Sequence, residues 1–180
     1  VLALSADDVR WSYEVALGNA GRARMLSLDA RIPLASVKDR VAKHRIHRWM
    51  ATAADRLGVA KRIASSLTGP VFEVRQGYKS KDSKRQNADI ANAATAYAKG
   101  YLPCAVILST QIDTDIMMRY KGRGWVILTG TRGRADPQES TYDFTREILG
   151  YDLAAFFERN TVAIRHEIDL VLRQLLAPND

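Results

Sequence analysis

The stretch that most constrains the fold is Cys104-Ala105-Val106-Ile107-Leu108. It is fully apolar and reads as a strand buried on both faces, the kind found inside parallel or mixed sheets. Before it, 84–99 carries Ile90, Ala93, Ala94 and Tyr97 on one helical face and is closed by Gly100. Before that, Val71 to Gln76 reads as a strand. Strand, helix and buried strand in this order call for a right-handed crossover and a partly parallel sheet. A short helix over 113–120 and a strand over 124–129 extend the same rhythm. The expected fold class is α/β, a mixed central sheet flanked by helices.

The flanks read as mainly helical. Ser5 with Asp8 three residues on resembles a capping box, and Val9, Tyr13, Ala16 and Leu17 give a stripe that extends a helix to about Asn19. Met25 to Leu28 is expected as a short strand ending near Asp29, before Pro33. Ser36 with Asp39 repeats the capping pattern, so a basic helix should run through Met50. A further helix carries Leu57, Ile63 and Ala64 and stops at Thr68-Gly69-Pro70. Two helices, 141–158 and 161–176, close the chain. Ile164, Ile168, Val171, Leu172 and Leu175 make the second strongly amphipathic.

At 180 residues, 1–180 is expected as one domain. Residues 1–70 form its basic helical part, 71–134 its α/β core and 135–180 its C-terminal helices. No apolar run approaches the ~20 residues needed to cross a bilayer. The single cysteine, Cys104, is expected as a buried thiol in a reducing, cytoplasmic setting. Val1 stands where an initiator Met is usual, as in a processed or trimmed chain, and no secretory signal is legible there.

Charge is unevenly spread. Residues 135–180 hold nine acids against four bases, a net of −5, while 1–134 carry +12. Such asymmetry points to a polyanionic partner, weighed against ordinary solubility charge. The bases concentrate at 75–85, with five bases and one acid. Along a strand Glu73 and Arg75 share one face and Phe72 and Val74 the other. A carboxylate beside a fixed cation, followed by Lys79, Lys81, Ser80 and Ser83, is a set suited to phosphodiester chemistry. Against it stands a plain surface ion pair of Glu73 with Arg75 or Lys79. Tyr78, Lys84, Arg85, Gln86 and Asn87 add a stacking ring and groups for phosphates or base edges.

Lys43, Arg45 and Arg48 lie on the 38–48 helix, a candidate phosphate-contacting face or simply a solvated one. His44 and His47 lack the Cys or acid neighbours of a zinc site. The basic loops 121–124 and 130–134 suit backbone contact. Trp11, Trp49 and Trp125 are expected in the core.

The segment 71–112 resembles the catalytic half of restriction endonucleases of the PD-(D/E)xK superfamily. The resemblance is carried by the strand, the basic Ser-containing turn, Arg85-Gln86-Asn87 at a helix head, Gly100-Tyr101-Leu102-Pro103 and the apolar strand after it. It implies a Mg²⁺ site with Glu73 as the second-strand ligand and Asp89 as a possible helix ligand. Two positions depart from the family. Arg75 replaces the lysine and cannot act as a base, so Lys79 or Lys81 must supply the ammonium. No Pro-Asp precedes the motif, and Asp29 is the candidate first carboxylate, weighed against a turn residue. The expected function is a Mg²⁺-dependent, sequence-specific endonuclease on double-stranded DNA, part of a restriction-modification system. A homodimer would present one site per strand, with the C-terminal helices as dimer surface or core. The alternatives are a non-catalytic DNA-binding module and an RNA-directed nuclease.

Overall fold

A computed structural model describes residues 2–17, 22–77, 83–133 and 135–176. The chain is α/β. Strands β1 (Trp11–Leu17) and β2 (Arg22–Leu28) form an antiparallel hairpin preceded by a one-turn helix α1 (Ala6–Val9). A four-stranded mixed sheet runs in the order β3 (Ala30–Arg31), β4 (Gly69–Arg75), β5 (Tyr101–Ile107), β6 (Val126–Leu128). β3 is antiparallel to β4, and β4, β5 and β6 are parallel. Two helices, α2 (Arg40–Arg56) and α3 (Lys61–Ala64), connect β3 to β4. The β4–β5 crossover is α4 (Ser83–Ala98), and α5 (Thr114–Lys121) joins β5 to β6. The short α6 (Thr141–Asp143), a π-helical turn (Phe144–Ile148) and the long α7 (Leu153–Leu176) follow.

The sheet divides two cores. On one side Phe72, Leu102, Cys104, Val126 and Leu128 meet Ile46, Trp49 and Met50 of α2 and Phe144 of the π-turn. On the other, Val71, Ala105, Ile107 and Ile127 meet Ala93 and Ala96 of α4, Ile116 and Tyr120 of α5, and Trp11 and Tyr13 of the hairpin. The buried-strand reading of 104–108 holds at Cys104, Ala105 and Ile107; Val106 is half-buried, and Leu108, also half-buried, lies one residue past the end of β5. All three tryptophans and Cys104 are buried. Gly69 has a steric reason, since a Cβ there would lie 2.0 Å from the carbonyl oxygen of Ile32.

The structure corrects several sequence expectations. The Ser5–Asp8 capping box forms, yet its helix ends at Val9 rather than Asn19. Trp11 and Tyr13 are buried while Ser12 and Glu14 are exposed, a period of two that the hairpin with β2 rewards. Ser36 does not cap α2. Its hydroxyl donates to Asp8 Oδ1 at 2.6 Å, and Asp39 alone caps, accepting from the Val41 and Ala42 amides. That helix runs to Arg56, so Leu57 is its end and not part of the next helix. On α4 the buried positions are Asp89, Asn92, Ala93 and Ala96; Ala94 is exposed and Ile90 and Tyr97 only partly covered. The small side chains turn inward because they let the helix approach the sheet closely. Finally, the expected break near 159–160 is absent and α7 is continuous. Within it the side chains of Asn160 and Thr161 donate to the carbonyls of Phe156 and Phe157, one turn back, so these polar groups are satisfied inside the helix. The break lies instead at Gly150, whose φ of +73° favours glycine.

Candidate active site on the open end of β4

The site grows from the alternation of β4. Val71, Glu73 and Arg75 share the α4 face of the sheet, and Phe72 takes the α2 face. Glu73 is therefore carried inside, with 7% of its surface exposed, and Arg75 Nη2 donates to Glu73 Oε1. The same guanidinium nitrogen lies 3.7 Å from Asp89 Oδ1 on α4. Asp89 is 3% exposed and is fixed twice: its Oδ2 accepts the Tyr120 hydroxyl at 2.5 Å, and its carbonyl accepts Trp125 Nε1 at 3.2 Å.

Asp29 arrives from the other side, between β2 and β3. Its amide donates to the Phe72 carbonyl at 3.0 Å and its Oδ2 accepts the Val74 amide at 2.6 Å. It thus bonds the residues on either side of Glu73 on the adjoining strand, near enough for its charge to act on the Glu73 carboxyl. Burial pushes that carboxyl up to about 7; Arg75 opposes the rise, and Asp29 and Asp89 add to it. Burial likewise raises Asp89, against the hydrogen bond from Tyr120 and the charge of Arg75.

Two carboxylates, Glu73 and Asp89, flank the Arg75 guanidinium and a third, Asp29, stands beside Glu73, so among the described residues the acids here outnumber the bases. Their hard oxygen donors fit a divalent cation such as Mg²⁺ in kind. As the side chains stand, Arg75 is the cation between Glu73 and Asp89, and among the described residues no three His, Cys, Asp or Glu are gathered tightly enough to hold a metal ion.

The remaining site candidates divide into three groups. Tyr78, Lys79, Ser80 and Lys81 lie outside the described residues. Ser83 opens α4 and Lys84, Arg85 and Gln86 follow in its first turn. Asn87 is exposed, and its Oδ1 accepts Arg119 Nη2 at 3.0 Å. Lys43, Arg45 and Arg48 are not brought to the acids, because α2 packs on the opposite side of the sheet. Lys43 and Arg48 are exposed, whereas Arg45 is half-buried and donates from Nε to the Ile148 carbonyl at 2.8 Å. Arg45 and Arg48 line a groove of about 550 Å³ with His44, Trp49, Arg56 and Pro137. In the basic loops, Arg132 pairs with Glu158 at 2.6 Å.

Tyr120 is the site residue that sequence reasoning missed. It closes a short helix 31 positions from Asp89, and no local pattern links the two. No family model, curated protein or solved structure matches this chain.

Proposed function

We propose that the protein is a Mg²⁺-dependent, sequence-specific endonuclease of restriction type acting on double-stranded DNA. The observation that carries this reading is that two buried acids, Glu73 of β4 and Asp89 of α4, meet at Arg75 while Asp29, from the bend before β3, stands beside Glu73. A surface ion pair would need neither the burial of two acids nor a third brought alongside them.

Glu73 and Asp29, with Asp89, would hold the ion. When bound, Mg²⁺ would acidify a water and neutralise charge on the scissile phosphate. Arg75 stays protonated at every working pH, so it orients a phosphate oxygen rather than taking a proton. Tyr120 keeps the Asp89 carboxylate aimed at the site. Lys79 and Lys81, a few residues beyond Arg75, supply further charge for phosphates. The ion pair of Arg75 with Glu73 is the one observation favouring a non-catalytic DNA-binding module instead.

Digestion of phage DNA with Mg²⁺ or Mn²⁺ separates the two. Discrete fragments are expected from the natural protein. Glu73→Gln should lose cleavage by ~10²-fold or more while retaining DNA binding, as loss of a group that stabilises the transition state does. Specific binding without any cleavage would establish the binding module, and equal rates in both proteins would remove Glu73 from the site. Binding itself should be steep in salt. With roughly six phosphate contacts, affinity is expected to fall ~10³-fold between 50 and 200 mM salt. A complex indifferent to salt would count against a nucleic-acid ligand, and preference for structured RNA would redirect the reading to that substrate.

A further inference from the structure

Helix α7 spans 24 residues, about 36 Å at ordinary helical rise, and none of them is buried. An exposed helix of this length is normally polar around its circumference. This one is not. Phe157, Thr161, Ile164, Ile168, Val171 and Leu175 recur at alternating spacings of four and three. That is the a/d pattern of a coiled-coil seam, held through three heptads. Ile168 and Val171 are each about half exposed, at 54% and 51%, and Leu175 is 75% exposed. The polar member of the seam, Thr161, is already satisfied, because its hydroxyl donates to the Phe157 carbonyl at 2.6 Å. The helix is tied to the body near its start by the Arg132–Glu158 ion pair, at 2.6 Å.

We infer that α7 pairs with α7 of a second copy of this chain as a parallel two-stranded coiled coil. Charge selects this occupant. Within α7, Glu158, Glu167 and Asp169 balance Arg159, Arg165 and Arg173, so two copies meet without net repulsion. A helix that lies on anionic lipid carries instead an excess of Lys and Arg, and a polyanion would prefer the basic part of the chain. Charge also selects the direction. With Thr161, Ile168 and Leu175 at a and Phe157, Ile164 and Val171 at d, Arg165 falls at e and Glu167 at g. An antiparallel pair in register would set Arg165 against the second copy's Arg165 and Glu167 against its Glu167. In the parallel pair Arg165 meets Asn160 of the second copy and Glu167 meets its Leu172, and neither contact repels. Two such helices would bury on the order of 1,200–1,500 Å² together, within the range of specific interfaces. The pairing stands whether or not the acid site cleaves DNA.

Sedimentation equilibrium of the full chain should give twice the 20.1 kDa chain mass at micromolar concentration. The Ile168→Glu/Val171→Glu double variant should halve that mass and remain folded, with a Tm that no longer rises with protein concentration, since both side chains are exposed in the single chain. The variant Val171→Cys should form an interchain disulfide on oxidation. Parallel d positions face one another at bridging distance, whereas antiparallel helices would separate them; Cys104 is buried and does not compete. A natural chain that sediments as a monomer overturns the pairing, as does a double variant that stays dimeric. A dimer in which Val171→Cys fails to cross-link overturns the parallel arrangement, and co-sedimentation of a monomer with phosphatidylserine vesicles would assign the helix to a lipid surface.

Discussion

Helices α2 and α4 cover opposite sides of the same sheet and bury opposite chemistry. The residues that α2 buries are Ala42, Ile46, Trp49, Met50, Ala53 and Ala54, all apolar. Among the described side chains of α4, those buried are Asp89, Asn92, Ala93 and Ala96, half of them polar. Strand β4 serves both: Phe72 faces α2 and lies 5.8 Å, ring to ring, from Phe144, while Glu73 faces α4. One side gains its stability from close-packed apolar surface. The other spends some of it holding carboxylates where water is scarce, a cost a protein carries where function requires it. Neighbouring residues of one strand should therefore respond to substitution in opposite directions.

The largest effect is expected on the α2 side. Phe72 is 6% exposed within the cluster that includes Trp49 and Phe144. Phe72→Ala should cost about 3–5 kcal/mol, the range for truncating a buried aromatic ring. Urea denaturation measures this directly. A loss under about 1 kcal/mol would mean that this side is loosely packed and that the contrast with α4 fails.

Much of the fold was legible because it rests on local pattern. The apolar run at 104–108, the period-two order of 71–75 and the Gly100 stop each follow from nearest neighbours in sequence. The hairpin was lost because Val9, Tyr13, Ala16 and Leu17 also fit a helix. Only the pairing of Trp11 with Leu28 and Tyr13 with Leu26 decides between the two periods. The site divides in the same way. Glu73 and Arg75 announce themselves as a pair on one strand face. Asp29 could be named but not placed, since its approach depends on β3 running antiparallel to β4 across a 45-residue separation. Tyr120 could not be named, because nothing near it in sequence indicates Asp89. The inward face of α4 was misjudged for a related reason. Hydrophobicity picks out Ile90 and Tyr97, while the sheet selects side chains small enough to pack closely.

A second effect, of opposite sign, is expected one residue on. The Glu73 carboxyl rises to about 7 in the fold, above its ordinary 4.5. Between those values the folded chain binds the proton more tightly than the unfolded chain, so stability falls as pH rises and the full penalty applies above about 7. Glu73→Gln removes the penalty. Its Tm should exceed that of the natural protein by roughly 2–6 °C at pH 8, with the gain shrinking towards pH 4.5. Added Mg²⁺ should raise the Tm of the natural protein at pH 8 and leave the variant nearly unmoved. A variant less stable than the natural protein at pH 8 would mean that Arg75 more than compensates the burial of Glu73, and that the α4 side carries no such cost.

The smallest effect, and the most selective, is expected at Tyr120. Its ring is 1% exposed and its hydroxyl donates to Asp89 Oδ2 at 2.5 Å. Tyr120→Phe preserves the ring and its packing against Trp125, whose centroid lies 6.0 Å away, and removes that donor. A hydrogen bond to a charged group contributes about 1.5–3 kcal/mol, so a stability loss near the lower end of that range is expected at pH 8. The sign of its pH dependence follows from Asp89. Burial already raises the Asp89 carboxyl and the Tyr120 hydroxyl holds it back, so without the hydroxyl the carboxyl rises further. The lost stabilisation belongs to the ionised form. It should therefore be largest above the Asp89 transition and diminish as pH falls and both proteins protonate. If Asp89 works as a carboxylate in the site, the acid limb of the cleavage profile should move to higher pH in Tyr120→Phe, with the plateau rate at high pH little changed. Measuring cleavage of one DNA substrate from pH 5 to 9 tests this. An acid limb that stays in place while stability falls would make Tyr120 and Asp89 a structural pair and reduce the candidate site to Asp29, Glu73 and Arg75.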